Sequence, residues 1–194
     1  MTRELVLATA NADKAAEIAA ILAGWSLVPR PAGIPDVEET EDTLEGNARL
    51  KARTLVSATG LAAVADDTGL SVVALGGAPG VRTSRYAGEG ATYAENVAKL
   101  LVSLEGVDYR RAHFRTVALV AFPDGSSIAA SGVVAGTIAR SARGEGGFGY
   151  DSVFVPDEGG GLTFAEMAPG HKHAISHRGR AFRELAARLP DHLR

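Results

Sequence analysis

An α/β protein built on a mixed β-sheet flanked by helices is what the order of apolar runs predicts. In the first half of the chain short apolar runs alternate with stretches of helical period, the pattern of strands joined by helices. Two long β-rich runs, 112–122 and 127–138, then flank Pro123-Asp124-Gly125 and read as a hairpin, which adds antiparallel pairing. Composition agrees: 46% of the 194 residues are hydrophobic and 22% charged, as in folded globular proteins and unlike disordered ones. A chain of this length buries roughly 70% of the surface its unfolded form exposes. No repeat or low-complexity linker divides it, so one domain over 1–194 is expected.

Residues 4–9 read as a short buried strand. A helix follows, with Ala15, Ile18, Ile21 and Leu22 on one face, Asn11 as N-cap and Gly24 past the end. Trp25–Val28 is a second short strand, and residues 29–36, with three prolines and a glycine, are a loop. Residues 43–58 are helical and stop at Gly60. Leu61–Ala65 is a continuously apolar strand of the kind covered on both faces, ended by Asp66-Asp67. Gly69–Leu75 is a further apolar stretch before the loop G-G-A-P-G at 76–80. Val97, Leu100, Leu101 and Leu104 stripe a helix over 92–104. After the hairpin come a glycine-rich segment, Gly144–Gly149, a short strand, Ser152–Val155, and a last helix from Ser176 or His177 to just before Pro190.

Several function classes fall away. Without cysteine there is no disulfide, thiolate metal site or cysteine nucleophile. Twenty basic against 23 acidic residues, a net charge of −3, argue against a nucleic-acid partner. No apolar run reaches the ~18 residues of a membrane span, and Leu5–Ala10 is short for a signal-peptide core, so a soluble cytoplasmic protein without a membrane partner is expected. There is neither a G-x-x-x-x-G-K-[ST] phosphate loop nor a G-x-S-x-G elbow.

Four segments can carry chemistry. Thr9, Ala10, Asn11, Ala12, Asp13 and Lys14 join the first strand to the first helix, where free N–H groups, two side-chain donors and a cation suit phosphate; a plain Asn11 cap with a solvated Lys14 is the alternative. Six acids between Asp36 and Glu45, followed by Asp66-Asp67, supply hard oxygen ligands for Mg²⁺, or else only a solvated loop. Neighbouring strand residues face opposite ways, so one Asp of the pair should face a given site. Gly144–Gly149 matches G-x-G-x-x-G by letters but lacks the preceding strand and following helix of a dinucleotide site. It reads instead as a rim presenting Phe148, Tyr150 and Asp151, with Phe148 either stacking on a flat base or plugging the core. His171–Arg178 holds three histidines and two cations just before a helix, in a spacing that fits an anion or a carbonyl-rich base better than zinc.

Together these segments resemble the inosine triphosphate (dITP/XTP, non-canonical purine NTP) pyrophosphatase family. The matching stretches are L-A-T-A-N-A-D-K-A-A-E at 7–17, V-E-E-T at 37–40, N-A-R-L-K-A-R at 47–53, A-D-D-T-G-L at 65–70, G-G-A-P-G-V at 76–81, S-R-Y-A-G at 84–88, G-G-F-G-Y-D at 146–151 and K-H-A-I-S-H-R-G at 172–179. The resemblance implies an elongated mixed sheet with helices, two lobes around a central nucleotide-binding cleft, and a homodimer. It implies Mg²⁺-dependent hydrolysis of a nucleoside triphosphate to the monophosphate and pyrophosphate. By similarity, Thr9 to Lys14 bind phosphate, Glu39 and Asp67 hold the metal with Asp67 as general base, and Lys51 and Thr68 line the phosphate end. Phe148, Gly149, Tyr150 and Asp151 hold the base, and Lys172, His177 and Arg178 contact base and ribose. Departures include Ala10 and Gly46, where the family often has Gly and Glu. A related pyrophosphatase for pyrimidine or modified nucleotides, or a non-catalytic nucleotide-binding module, remains the alternative.

Overall fold

The computed structural model describes residues 4–189; Pro190, expected just beyond the last helix, lies outside them. The sheet contains β1 (Leu5–Leu7), β2 (Leu27–Val28), β3 (Ala62–Val72), β4 (Pro79–Gly80), β5 (Arg111–Ala121), β6 (Ser127–Ile138) and β7 (Phe154–Pro156). The helices are α1 (Ala12–Ile21), α2 (Leu44–Thr59), α3 (Tyr93–Ser103), α4 (Pro169–Ile175) and α5 (His177–Arg188). The strand order is β2-β1-β3-β5-β6-β7, with β4 added on β3. β1 pairs parallel with β2 and β3, while β4 on β3 and β7 on β6 are antiparallel, so the sheet is mixed as expected.

Local chemistry sets the helix ends. Asn11 Oδ1 accepts the Lys14 N–H at 3.0 Å, and Thr43 Oγ1 accepts the Gly46 N–H at 3.0 Å, each satisfying a first-turn donor that has no helical partner. Thr92 and Glu95 cap α3 reciprocally. Leu22 and Gly60 close α1 and α2.

The residues group into two compact units. Among the described residues the first comprises 4–67, 116–132 and 177–189, and the second 68–115 and 133–176. Apolar side chains cover both faces of the first unit's sheet. Leu5, Leu7, Val64, Ala118 and Val120 pack with Ile18 of α1 and Phe182 and Leu185 of α5, while Val6, Ala63, Ala65, Val117 and Leu119 pack with Ala48, Ala52 and Leu55 of α2. Each helix sits on one stripe of a continuously apolar strand, as β1 and β3 predict. Gly132 lets α5 approach β6: a Cβ there would run into the His177 carbonyl and lie 2.5 Å from the Ala181 nitrogen. The second unit has its own core, in which Phe154 meets Phe114 edge-on at 4.7 Å and stacks on Phe164 at 5.3 Å.

Two elements depart from expectation. β3 does not stop at Asp66-Asp67 but runs through both to Val72, joining two stretches read as separate. The segment 169–175, to which the sequence pattern assigns no element, is a short helix opened by Pro169; proline is well placed in a first turn, where its missing N–H costs nothing.

Candidate active site

β3 carries Asp66 and Asp67 in its middle, both nearly inaccessible to solvent. The alternation of a strand sends them to opposite faces, and the residues they meet confirm this. Asp66 faces α1 and α5. Lys14 Nζ lies 3.4 Å from its Oδ2, and Arg178 donates to the same oxygen from Nε and Nη2, both at 3.3 Å. Arg178 also donates through Nη1 to Glu17 of α1. Burial alone would raise the Asp66 carboxyl, but Lys14, then Arg178 and Lys51, hold it well below the usual carboxylate range. Burial conversely lowers Lys14 despite the attraction of Asp66.

Asp67 faces α2. Lys51 Nζ is 3.1 Å from its Oδ1 and 2.9 Å from Glu39 Oε1, so one ammonium sits between two carboxylates. Asn47 Nδ2 donates to Asp67 Oδ2 at 3.2 Å. Asn47 and Lys51 are four residues apart on α2 and share a face. Burial is the largest influence on Asp67 and raises it; Lys51 lowers it and Glu39 raises it again, leaving it above its ordinary value. Lys51 is raised in turn, since Asp67 and Glu39 outweigh the effect of its burial.

Two hard oxygen donors that repel each other across a shared cation suit a divalent ion. No group of three or more His, Asp or Glu that could hold a metal gathers among the described residues. Glu39 and Asp67, two hard oxygen donors, fit a divalent cation whose remaining ligands come from water or a bound ligand.

The Thr9–Lys14 turn lies at the carboxyl end of β1, beside the Asp66 cluster. Thr9 Oγ1 accepts the Asn11 N–H at 3.1 Å, Ala10, Ala12 and Asp13 are exposed, and Lys14 reaches back to Asp66. The cap and the ion pair are thus both present, and Lys14 is partly buried.

In the second unit Asp151 organises the glycine-rich rim. Its Oδ2 accepts Lys172 Nζ at 2.6 Å and the Phe148 N–H at 2.8 Å. Gly147 permits this wrap: its backbone lies in the left-handed region, and a Cβ would collide with the Asp151 carboxylate. Lys172 Nζ stands 5.0 Å from the centre of the Phe148 ring, and Tyr93 packs on that ring at 5.8 Å. A cavity of about 450 Å³ lies between α3 and this rim, lined by Tyr93, Val97, Leu101 and Phe148 among others. Thr68 follows Asp67 on β3 and belongs to this unit.

The expected base-side residues each have partners within their own unit. Arg178 is in the first unit, committed to Asp66 and Glu17 beside Lys14, whereas Lys172 is in the second with Asp151 and Phe148. His177 is buried in the first unit, its Nδ1 2.7 Å from Thr116 Oγ1. Tyr150 buries its ring in the second core and donates its hydroxyl to the Thr83 carbonyl at 3.0 Å, so it offers a ligand its backbone and not its phenol; burial pushes that phenol well above its ordinary value. Glu17, Asn47, Tyr93 and Thr116 complete these arrangements without having been singled out; the four-residue spacing of Asn47 and Lys51 was the one visible signal.

An open mixed sheet with buried charge at the carboxyl end of its parallel strands, and a glycine rim holding an aromatic ring, defines the class: an α/β protein equipped for a phosphorylated ligand. The sequence profile of the Ham1 family matches residues 5–188, and the chain belongs to that family. It is 48% identical over 195 residues to a dITP/XTP pyrophosphatase of Caulobacter vibrioides, covering 98% of this chain and 100% of that one. It is 47% identical to a dITP/XTP pyrophosphatase of Streptomyces avermitilis, covering 95% and 96%. The HAM1 protein structure from Coxiella burnetii superposes with a TM-score of 0.85 at 42% identity, covering 95% of this chain and 97% of that one. Mixed sheet and family were both expected from sequence. No helix among the described residues is long and apolar enough to cross a membrane.

Proposed function

We propose that this chain is a nucleoside-triphosphate pyrophosphatase that hydrolyses non-canonical purine nucleotides (dITP, ITP, XTP) to the monophosphate and pyrophosphate, clearing them from the nucleotide pool. The observation that carries the reading is Lys51 between Glu39 and Asp67, a carboxylate pair on a buried strand and an acidic loop. Near full-length similarity to dITP/XTP pyrophosphatases supports it.

Phosphoryl chemistry depends mainly on positioning and on neutralising developing charge. Thr9 to Lys14 hold phosphate through backbone N–H groups, hydroxyl and ammonium, and Lys51 and Thr68 serve the phosphate end. Glu39 and Asp67 hold a divalent ion, Mg²⁺, which supplies charge neutralisation at the phosphate oxygens when bound. Asp67 takes the proton of the attacking water, a role suited to a carboxylate whose proton affinity burial has raised. The water oxygen bonds to phosphorus as the anhydride P–O bond between the α- and β-phosphoryl groups breaks, giving the monophosphate and pyrophosphate.

Phe148 stacks on the base, held by Tyr93 and Lys172. Hypoxanthine and xanthine present a carbonyl at position 6 where adenine presents an amino group. A Lys172 or backbone donor aimed there pairs with the carbonyl and loses its partner against adenine, at roughly 1–3 kcal/mol for each buried donor. His177 and Arg178 hold the first turn of α5, His177 through its Nδ1 to Thr116 and Arg178 through Asp66 and Glu17. The whole chain, 1–194, works as one domain in a cytoplasmic homodimer without a nucleic-acid partner; a strictly monomeric mass by light scattering removes the dimer.

The decisive assay is pyrophosphate release with Mg²⁺ across dITP, XTP, ITP, dGTP, GTP, ATP and dTTP. Release confined largely to dITP, XTP and ITP and abolished by EDTA is expected. Release mainly from dTTP makes it a pyrimidine enzyme instead, and none makes it a binding module.

A further inference from the structure

We infer that Asn47 is a positioning residue that fixes the spacing of Glu39 and Asp67 for a divalent cation. The inference rests on the pyrophosphatase reading and on that carboxylate pair. Asn47 is fully buried in the first turn of α2. Its Oδ1 accepts the Glu41 N–H at 3.0 Å, and its Nδ2 donates to the Glu41 carbonyl at 3.3 Å and to Asp67 Oδ2 at 3.2 Å.

The orientation of this amide follows from its partners. A backbone N–H needs the amide oxygen, while a carbonyl and a carboxylate, acceptors both, need the amide nitrogen. Both Nδ2 hydrogens are used and the oxygen is occupied. One side chain thus grips the main chain of the acidic loop on both its donor and its acceptor, and grips Asp67 as well. Glu39 sits two residues from Glu41 in a stretch, 36–41, with no helix or strand of its own. Arg30 anchors the far end of that stretch, through the Ile34 carbonyl at 3.0 Å and Asp36 at 3.4 Å. Lys51 also holds Glu39, through an ammonium that the proposed reaction needs for phosphate. Asn47 keeps the loop in register with β3 when Lys51 turns to substrate. Asparagine rather than aspartate is required, because a carboxylate at 47 would face two acceptors with no proton to offer.

The test is calorimetric titration of the substrate-free protein with Mn²⁺, comparing wild type, Asn47→Ala, Glu39→Gln, Asp67→Asn and the Asn47→Ala/Glu39→Gln double variant. Asn47→Ala is expected to weaken Mn²⁺ binding roughly 10–100-fold, the usual cost of losing a partner that orients a ligand. In its background Glu39→Gln should cost much less than in wild type, because the loop is already adrift. A purely structural role would make the two losses multiply. Unchanged Mn²⁺ affinity in Asn47→Ala, or multiplying losses, overturns the inference alone. Wild-type Mn²⁺ affinity in both Glu39→Gln and Asp67→Asn overturns the metal reading beneath it. Gly46→Ala approaches from the loop side should Asn47→Ala not fold: its Cβ would lie 2.7 Å from Glu41 Cβ, pushing the loop away, at a helical position where alanine is favoured over glycine. Weakened Mn²⁺ binding with an undiminished melting midpoint is expected; unchanged binding overturns the inference.

Discussion

Asp66 and Asp67 are covalent neighbours on one strand, yet their surroundings have opposite sense. Toward α1 and α5, Asp66 meets Lys14 and Arg178, with Glu17 closing the group, and its carboxyl is held low. Toward α2, Asp67 shares Lys51 with Glu39 and its carboxyl is held high. The first face is an ion-pair cluster in which buried charges are matched. On the second, two acids compete for one ammonium, so a further cation or a proton is welcome. One face of the strand holds helices in place, and the other keeps a reactive carboxylate at some cost to the fold, the trade commonly found at functional sites.

The largest expected effect tests the second face. Asp67→Asn should lower turnover roughly 10²–10⁴-fold, the range for a lost general base, while nucleotide still binds in a titration. Near-normal turnover would erase the distinction between the faces. Asp66→Asn should instead strike stability: Lys14 and Arg178 would remain buried against a neutral amide, a loss of about 3–5 kcal/mol read from urea unfolding. A variant as stable as wild type would show that the matched cluster holds nothing.

Acid titration sharpens the contrast by sign. The folded Asp66 carboxyl lies below its unfolded value, so its contribution is complete above the unfolded carboxylate range and is lost as pH falls toward the folded value. Asp66→Asn should therefore flatten the acid limb of the stability curve. Asp67 runs the other way: raised in the folded state, it costs stability at neutral pH and recovers it as pH falls through the folded value. Asp67→Asn should then keep or raise the melting midpoint at pH 7, and a fall of several degrees would contradict this. The smallest effect belongs to the second unit. Tyr93→Ala removes a ring pairing of about 0.5–1.5 kcal/mol, raising KM several-fold at most with kcat unchanged.

Elements governed by near neighbours in sequence were legible from it. The Asn11 cap, the helix over 44–59 and the hairpin around Pro123-Asp124-Gly125 all formed where side-chain chemistry within a few residues demands them. The opposite facing of Asp66 and Asp67 was legible too, because strand alternation alone decides it. What escaped depends on distant partners. Two adjacent acids read as the end of a strand because isolated charge does not stay buried, but Arg178, 112 residues away, matches Asp66 and lets β3 continue. The same pairing brings Arg178 and Lys14 together on one carboxylate. Asn47 went unnoticed because an asparagine in a first helical turn looks like an ordinary polar position until the acidic loop folds over it.

Gly132 supplies no group to any ligand, yet it sets the height at which α5 rides on β6. A single methyl at that position would meet the His177 carbonyl and lift the helix start, and Arg178, one residue on, would leave Asp66 with it. In a saturation scan position 132 should be as intolerant as Asp66 itself. The resulting lesion would look electrostatic under every assay, although no charge in the protein had been altered.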